Sequence, residues 1–459
     1  MRIGFLFNHG GGHQVAHALP VAFALRRLSN RADIRILVSE GSAAEVTRLA
    51  DREAGPRPDI VRLAPPSRLA RAAKRATGGA VPADTLSVLR RNLDRFRDLD
   101  ALVVPEKTSL LLRTHFGLDN LKLIHTRHGA GDRAIGFDKA SGQFDLVLMS
   151  GAKIRDRLED AGLLRAGGHA ITGYPKFDLP PRTPRPRLFV KDRPTVLYNP
   201  HPSPALSSWY RMGPQILDWF ANSDRYNLIF APHVMLFRKR ITASLSPFAL
   251  GWNRWPDARH YDRDHMLIDT GSPASLDMTY TDAADIYLGD ASSQVYEFLR
   301  RPRPCVFLNP RGHAWRGNPD FTHWQAGPVV ETIEDFAAAF EEVPLLDPAD
   351  RQRQRDLFAY SFDLDERPSS ERAAEAILDF LGAGMTGIMA PSPFGAFVEY
   401  GLLKTLAKWR ARLVSALRQA NDAPVRTRYG VRMHANWRDR TFQYCYHATY
   451  GRVLSDFLA

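Results

Sequence analysis

Cysteine is nearly absent from this sequence: 459 residues carry two, Cys305 and Cys445. So far apart, they form neither a metal clip nor a redox pair, which fits a reducing compartment. Long apolar runs are missing as well. The opening run, Ile3 to Phe7, is too short for a signal peptide, and no later run approaches the roughly 20 residues of a membrane span. A cytoplasmic protein is expected. Acidic residues are the minority charge, 50 against 62 Lys and Arg, giving a formal net charge of +12. That excess points to anionic partners: nucleic acid, an acidic membrane surface or a phosphate-rich substrate. The basic residues gather into no RNA-binding signature or recognition helix, so nucleic acid is not expected.

Several catalytic signatures are lacking too. There is no HExxH, Walker loop or G-x-S-x-G, and no acidic pair of glycosidase character. Zinc proteolysis, P-loop chemistry, serine ester hydrolysis and glycoside cleavage are disfavoured. No convincing metal cluster occurs, so neither a metal nor a resident cofactor is expected.

What is present is ordinary globular composition, 44% hydrophobic and 24% charged, with length enough for two domains and an appendage. Six short apolar runs mark the first part: Ile3–Phe7, Ile34–Val38, Leu102–Val104, Lys122–His125, Leu146–Met149 and Ala170–Thr172. Helical spacing, as in Val15–Leu28 and Ala152–Leu163, separates most of them. Alternating strands and helices predict a parallel sheet covered on both faces. The proline-rich stretch 180–186 reads as a stiff linker. Strand candidates resume at Thr195–Tyr198, Leu228–Ala231, Met266–Ile268, Ile286–Leu288, Cys305–Leu308 and Val329–Val330. Helices are predicted at Met212–Ala221, Pro273–Ala283, Ser293–Arg300, Ile333–Phe340 and Ser370–Leu381. The expectation is an α/β protein of two Rossmann-like halves, 1–180 and 187–381, facing a central cleft. Residues 382–459 read as a helical extension. There Leu402, Leu406, Trp409, Leu413 and Leu417 alternate with Lys404, Lys408, Arg410, Arg412 and Arg418, a basic amphipathic pattern. Such a helix either packs on its own protein or docks on an anionic membrane, which would hold the protein at the inner face.

In open α/β sheets ligands bind beyond the carboxyl ends of the strands. After the first strand comes Asn8-His9-Gly10-Gly11-Gly12-His13, a glycine loop without GxGxxG spacing. It can bring backbone N–H groups near an anion, or it is a plain strand-to-helix turn. After the fourth comes His125-Thr126-Arg127-His128-Gly129-Ala130-Gly131-Asp132-Arg133, where a histidine can accept a hydroxyl proton and an arginine can hold phosphate. Asp132 and Asp138 are near enough in sequence to orient His128. The second half offers His201, His233 and the turn Asp290-Ala291-Ser292-Ser293. That turn is either an ordinary capped helix start or a phosphate site at a helix N-terminus. Ser370 and Arg372 open another helix, a second anion-friendly N-terminus.

Five landmarks then fall in a recognisable order: His128-Gly129 with Ile135-Gly136-Phe137-Asp138; Gly173-Tyr174-Pro175-Lys176-Phe177-Asp178; Val196-Leu197-Tyr198-Asn199-Pro200; Asp282–Phe298; and Tyr360–Arg372. Over roughly 100–380 this resembles the CDP-glycerol glycerophosphotransferase family, teichoic-acid polymerase-like enzymes of GT-B architecture. Arg127, Ala130 and Ala291 stand where the family has tryptophan, threonine and tyrosine. The family's L-x-x-H-P appears only as Ala231-Pro232-His233. Gly11-Gly12-His13 running into a helix is instead similar to nucleotide-sugar glycosyltransferases of the same architecture. The resemblance implies that His128, with His13 as the alternative, is the base that deprotonates an acceptor hydroxyl. It further implies that Ser292, Ser293, Asp290, Ser370 and Arg372, with His233 beside them, hold the pyrophosphate of a CDP-linked donor. Gly11, Gly12, Arg127 and Asp138 would lie on the side of a glycan or lipid-linked acceptor.

Overall fold

The computed structural model describes residues 1–8, 12–76, 83–179, 187–245 and 248–383, with the backbone of Asp422–Arg426 and Arg432–Asn436. The glycines at 10 and 11, the 180–186 linker and the 402–418 basic pattern lie outside the described residues.

The first sheet is parallel and seven-stranded. Its strands are β1 (Arg2–Phe7), β2 (Asp33–Val38), β3 (Asp59–Arg62), β4 (Ala101–Val104), β5 (Lys122–His125), β6 (Leu146–Met149) and β7 (His169–Ile171). They lie in the order β3-β2-β1-β4-β5-β6-β7. The next strand is β8 (Thr195–Asn199), then β9 (Asn227–Phe230), a hairpin of β10 (Ile241–Leu245) and β11 (Phe248–Trp252), β12 (Met266–Ile268), β13 (Ile286–Gly289), β14 (Cys305–Leu308) and β15 (Val329–Val330). Hairpin apart, these form a parallel six-stranded sheet in the order β12-β9-β8-β13-β14-β15. Chain direction across each sheet reverses beside its first strand, at β1/β4 and at β8/β13, where a crevice opens in folds of this kind.

The strands form where predicted because they are short, mostly apolar runs; β4, β6, β9, β13 and β14 are buried along their whole length. Two features of the strands were not anticipated, nor was the helix Pro348–Ser361. The edge strand β3 is Asp-Ile-Val-Arg and mostly exposed, so it carries no burial signal. The β10–β11 hairpin shows its apolar residues to the outside.

The Val15–Leu28 helix is buried from Val15 through Leu25 and tolerates Pro20 within it. Its alanines let a second helix approach closely: Ala373, Ala374, Ile377 and Leu381 of Ser369–Ala383 join the same core. The final helix of this part thus packs with the first half, although sequence order assigns it to the second. Another shared core joins Ala130 and Tyr174 of the first half to Val295, Tyr296, Trp324 and Phe362 of the second.

Charged contacts also join the halves. Asp132, with Lys153 at 2.8 Å, accepts hydrogen bonds from the Tyr296 hydroxyl and from His323. Lys176 pairs with Glu297 at 2.6 Å, Arg157 with Asp320 at 2.7 Å and Arg48 with Asp277 at 3.2 Å. Leu110–Asp119 belongs to a separate unit, and Asp422–Arg426 pairs antiparallel with Arg432–Asn436. Among the described residues no helix is long and apolar enough to cross a membrane.

Candidate functional site

The loop after β5 is shaped by two residues in the left-handed region, Arg127 at φ 56° and Gly129 at φ 73°. For a residue with a Cβ that conformation is uncommon and marks local strain. Its effect is to send neighbouring side chains in opposite directions. Arg127 turns inward, donates to the Gly136 carbonyl at 2.9 Å and lies 4.7 Å from the Phe137 ring centre. Burial lowers its pKa to about 10 against the opposing charge of Asp138. His128 turns outward and is exposed.

The His128 ring is fixed through Nδ1, 2.6 Å from the Pro105 carbonyl. A carbonyl only accepts, so Nδ1 carries the hydrogen and the basic lone pair of the neutral ring belongs to Nε2. That is the tautomer a general base requires. The two carboxylates expected to orient this histidine are occupied elsewhere. Asp132 is buried among Lys153, Tyr296 and His323, and Asp138 pairs with Lys107 at 2.7 Å while capping the short helix at Lys139–Gln143. Burial alone would raise the Asp132 pKa, but Lys153 and His323 hold it well below the usual carboxylate range.

Around His128 stand four more histidines from both halves. His13 follows β1 in the turn Gly12–Gln14 and lies 6.2 Å from His128, ring centre to ring centre. Gly12 is held tightly against Glu45, where a Cβ would come within 2.6 Å of that side chain. His17 lies 6.4 Å from His128. It escapes sequence reasoning by itself, yet its spacing of four from His13 places both on one helical face. From the second half, His233 is 6.0 Å from His13 and 6.0 Å from His201.

These partners have a different electrostatic character. His233 Nδ1 accepts from the Met235 N–H at 3.2 Å, so in the neutral ring the hydrogen sits on Nε2. Burial, then the charges of His128 and Arg133, lowers its pKa to about 4. Burial first, and neighbouring cations next, likewise push His17 and His201 well below 6.5. His201 touches Arg133, whose own pKa burial lowers. The site therefore sets one exposed histidine, with its basic lone pair on Nε2, near three histidines whose pKa is lowered, His17, His201 and His233, and the half-buried guanidinium groups of Arg127 and Arg133. Such a surface suits a hydroxyl nucleophile approaching a phosphate-bearing substrate.

The β13 turn faces this loop. A Cβ on Gly129 would stand 3.2 Å from Ser293 Oγ, and one on Gly131 would stand 3.1 Å from Ser293 Cβ. Ser293 is exposed, whereas Ser292 is buried and its hydroxyl accepts from the Gln294 N–H at 3.4 Å. The helix that follows is short, Val295–Phe298, and the Gln294 side chain does not cap it but donates to the Ser275 carbonyl at 2.7 Å. The dipole of a long helix is thus not available there. Asp290 is fully buried and accepts from the His201 and Ala291 backbone N–H groups and from the backbone and hydroxyl of Ser208. It organises the β8 and β13 loops. Gly129→Ala is expected to cost about 1–2 kcal/mol through its left-handed backbone and to displace Ser293. Chemical denaturation measures it, and a variant as stable as the parent would refute the constraint.

The second expected helix N-terminus is already taken up by protein groups. Ser370 N–H donates to Asp178 at 2.6 Å, so a carboxylate of the first half already occupies that helix start. Arg372 pairs with Asp363 at 2.6 Å and reaches the Ile171 carbonyl at 3.4 Å. The two helix starts thus do not share one half of the protein, because Ser369–Ala383 packs on the first sheet.

The low histidine pKa values give a pH expectation. As pH falls from 6.5 toward 4, the unfolded chain takes up protons that folded His233 refuses, so stability falls; above 6.5 this contribution is fully present. His17 and His201 act in the same direction. Thermal melting should drop between about pH 7 and pH 5, less steeply in His233→Gln. Equal slopes in both proteins would refute the assignment to His233.

No family model matches the chain, and no curated protein matches it. Solved structures do. A UDP-N-acetylglucosamine 2-epimerase is 14% identical with a TM-score of 0.52, covering 86% of this chain and 98% of its own. The S. aureus MnaA–UDP co-structure is 12% identical with a TM-score of 0.52, covering 85% and 99%. A variant of the wall teichoic acid polymerase TagF is 11% identical with a TM-score of 0.50, covering 84% and 90%. At such identities the likeness is one of fold, and the chain has the GT-B architecture, two Rossmann-like units with their strand ends face to face.

Proposed function

We propose that this protein is a GT-B enzyme of envelope-glycan synthesis that uses a nucleotide-linked donor and transfers a phospho-polyol from a CDP-linked donor to a hydroxyl. The acceptor is a glycan or lipid-linked alcohol. His128 Nε2 takes the hydroxyl proton while the oxygen attacks the phosphorus bearing the polyol. The bond from that phosphorus to the bridging oxygen breaks, and CMP leaves with the electron pair. His233 Nε2–H, Arg133 and the Ser293 hydroxyl are the donors on the far side that offset charge on the phosphates.

One observation carries this reading: the Pro105 carbonyl holds His128 in the tautomer with a basic Nε2, on an exposed ring opposite Ser293 and His233. The order of sequence landmarks and the fold of TagF support it. A second reading, a nucleotide-sugar glycosyltransferase or epimerase, is favoured by His13 and His17 beside His128 and by near-complete coverage of the 2-epimerase chain. Incubation with CDP-glycerol and, separately, UDP-N-acetylglucosamine tests both. Release of CMP with an alcohol acceptor supports the first. UDP release or sugar epimerisation with no CMP supports the second, and tight nucleotide binding without turnover in either would mean a binding protein.

A further inference from the structure

The β10–β11 hairpin leaves the carboxyl end of β9, just after His233, and its amphipathic pattern is inverted. Antiparallel register pairs Ile241 with Trp252 and Ala243 with Leu250, so these four share one face, and Phe248 joins them at two-residue spacing. That face points outward: Phe248 is 66% exposed, Leu250 59% and Trp252 69%. The inward face carries Thr242, Ser244, Ala249 and Gly251. It is fastened by polar contacts, not by an apolar core. The Asn253 amide donates to the Lys239 carbonyl at 2.6 Å and to Thr242 Oγ1 at 2.8 Å, while the Tyr210 hydroxyl donates to Asn253 at 2.6 Å. Gly251 lies so near Tyr210 that a Cβ would come within 2.2 Å of the ring. A ribbon held this firmly with its apolar side in water requires a second surface to cover it.

From tip to base the exposed side chains follow the depth order of an interface. Phe248 and Leu250 come first, then Trp252 and Trp255, then Arg254 with Arg238, Lys239 and Arg240, all exposed. Apolar residues suit the acyl region, tryptophan the headgroup level and cations the lipid phosphates. We infer that this hairpin docks the protein on an anionic lipid bilayer, with Phe248, Leu250 and Trp252 inserted. Charge argues against the other occupants. A second copy brings the same basic rim, and the chain's own 404–418 segment is itself strongly basic. Docking here would bring the strand end that bears His233 to the membrane, where a lipid-linked acceptor resides. The inference does not depend on that reaction.

The test uses the full-length chain with phosphatidylcholine vesicles, with or without phosphatidylglycerol. The parent should sediment with the anionic vesicles, and brominated acyl chains should quench part of its tryptophan fluorescence. Leu250→Glu/Trp252→Glu should weaken partitioning by about tenfold or more with unchanged melting temperature, because both residues are exposed. Trp252→Phe should keep binding yet lose most of the quenching. Equal vesicle binding by parent and double variant would overturn the inference, as would a parent that binds no anionic vesicle. A parent dimer that the double variant converts to monomer, without lipid quenching, would identify a self-interface instead.

Discussion

Replacing His128 with alanine is expected to reduce turnover by about 10²–10⁴-fold, the usual loss for a general base, while nucleotide affinity is retained. The reason is geometric. His128 is the exposed ring of the cluster whose tautomer is set by a backbone carbonyl, and it faces the Ser293 turn across the two halves. His13→Ala should lose much less, since that ring sits in the turn after β1, 6.2 Å from His128 and outside the loop that bears the Pro105-held ring. Calorimetric nucleotide binding together with turnover on the active donor distinguishes the two. Near-normal turnover in His128→Ala would remove the base from that residue, and an inactive His13→Ala with intact binding would transfer the role to His13.

Replacing Lys176 with methionine should destabilise the protein by roughly 3–5 kcal/mol, the cost of breaking a buried ion pair from one side. Lys176 and Glu297 are 4% and 6% exposed, and one Glu297 oxygen, Oε2, already lacks a protein partner. The surviving carboxylate would be buried without its cation. Adding Glu297→Gln should recover much of the loss, because two neutral groups leave no unpaired charge. Arg157→Ala, at a pair with Asp320 that is more exposed, 16% and 32%, should cost less. Denaturant midpoints measure all three, and a Lys176→Met protein as stable as Arg157→Ala would refute the argument. Asp132 adds a pH signature of opposite chemistry to the histidines but the same sign. Its folded pKa is depressed, so its contribution is fully present above about pH 3.9 and disappears as pH falls below that.

The alternation of short apolar runs with helical segments was legible in the chain because the central runs, such as β4, β6, β9, β13 and β14, are buried over their full length and therefore contain mostly apolar residues. The edge strand β3 was illegible for the converse reason: one side of an edge strand meets water, so Asp59 and Arg62 sit where a central strand would be apolar. The helix at Ser369 was placed correctly along the chain but not in space. Nothing in Ala373, Ala374 and Ile377 says which core will receive them; the alanines of the Val15–Leu28 helix decide that by allowing close approach.

For the candidate site, the sequence by itself determined that histidines, glycines and hydroxyls stand at strand ends, because strand and turn residues differ in polarity and can be read locally. It determined the candidacy of His128, His13, His233 and Ser293 in the same way. Only the tertiary structure decided how those groups are used. Asp290 has four donors directed at its carboxylate, Ser370 meets Asp178, Arg372 meets Asp363, and Asp132 is consumed between the halves. A carboxylate or guanidinium takes the strongest partner within a few ångströms, and such partners lie as far as 229 residues away along this chain, as Arg48 and Asp277 do. Side-chain identity is local information, whereas hydrogen-bond satisfaction depends on which distant elements pack together.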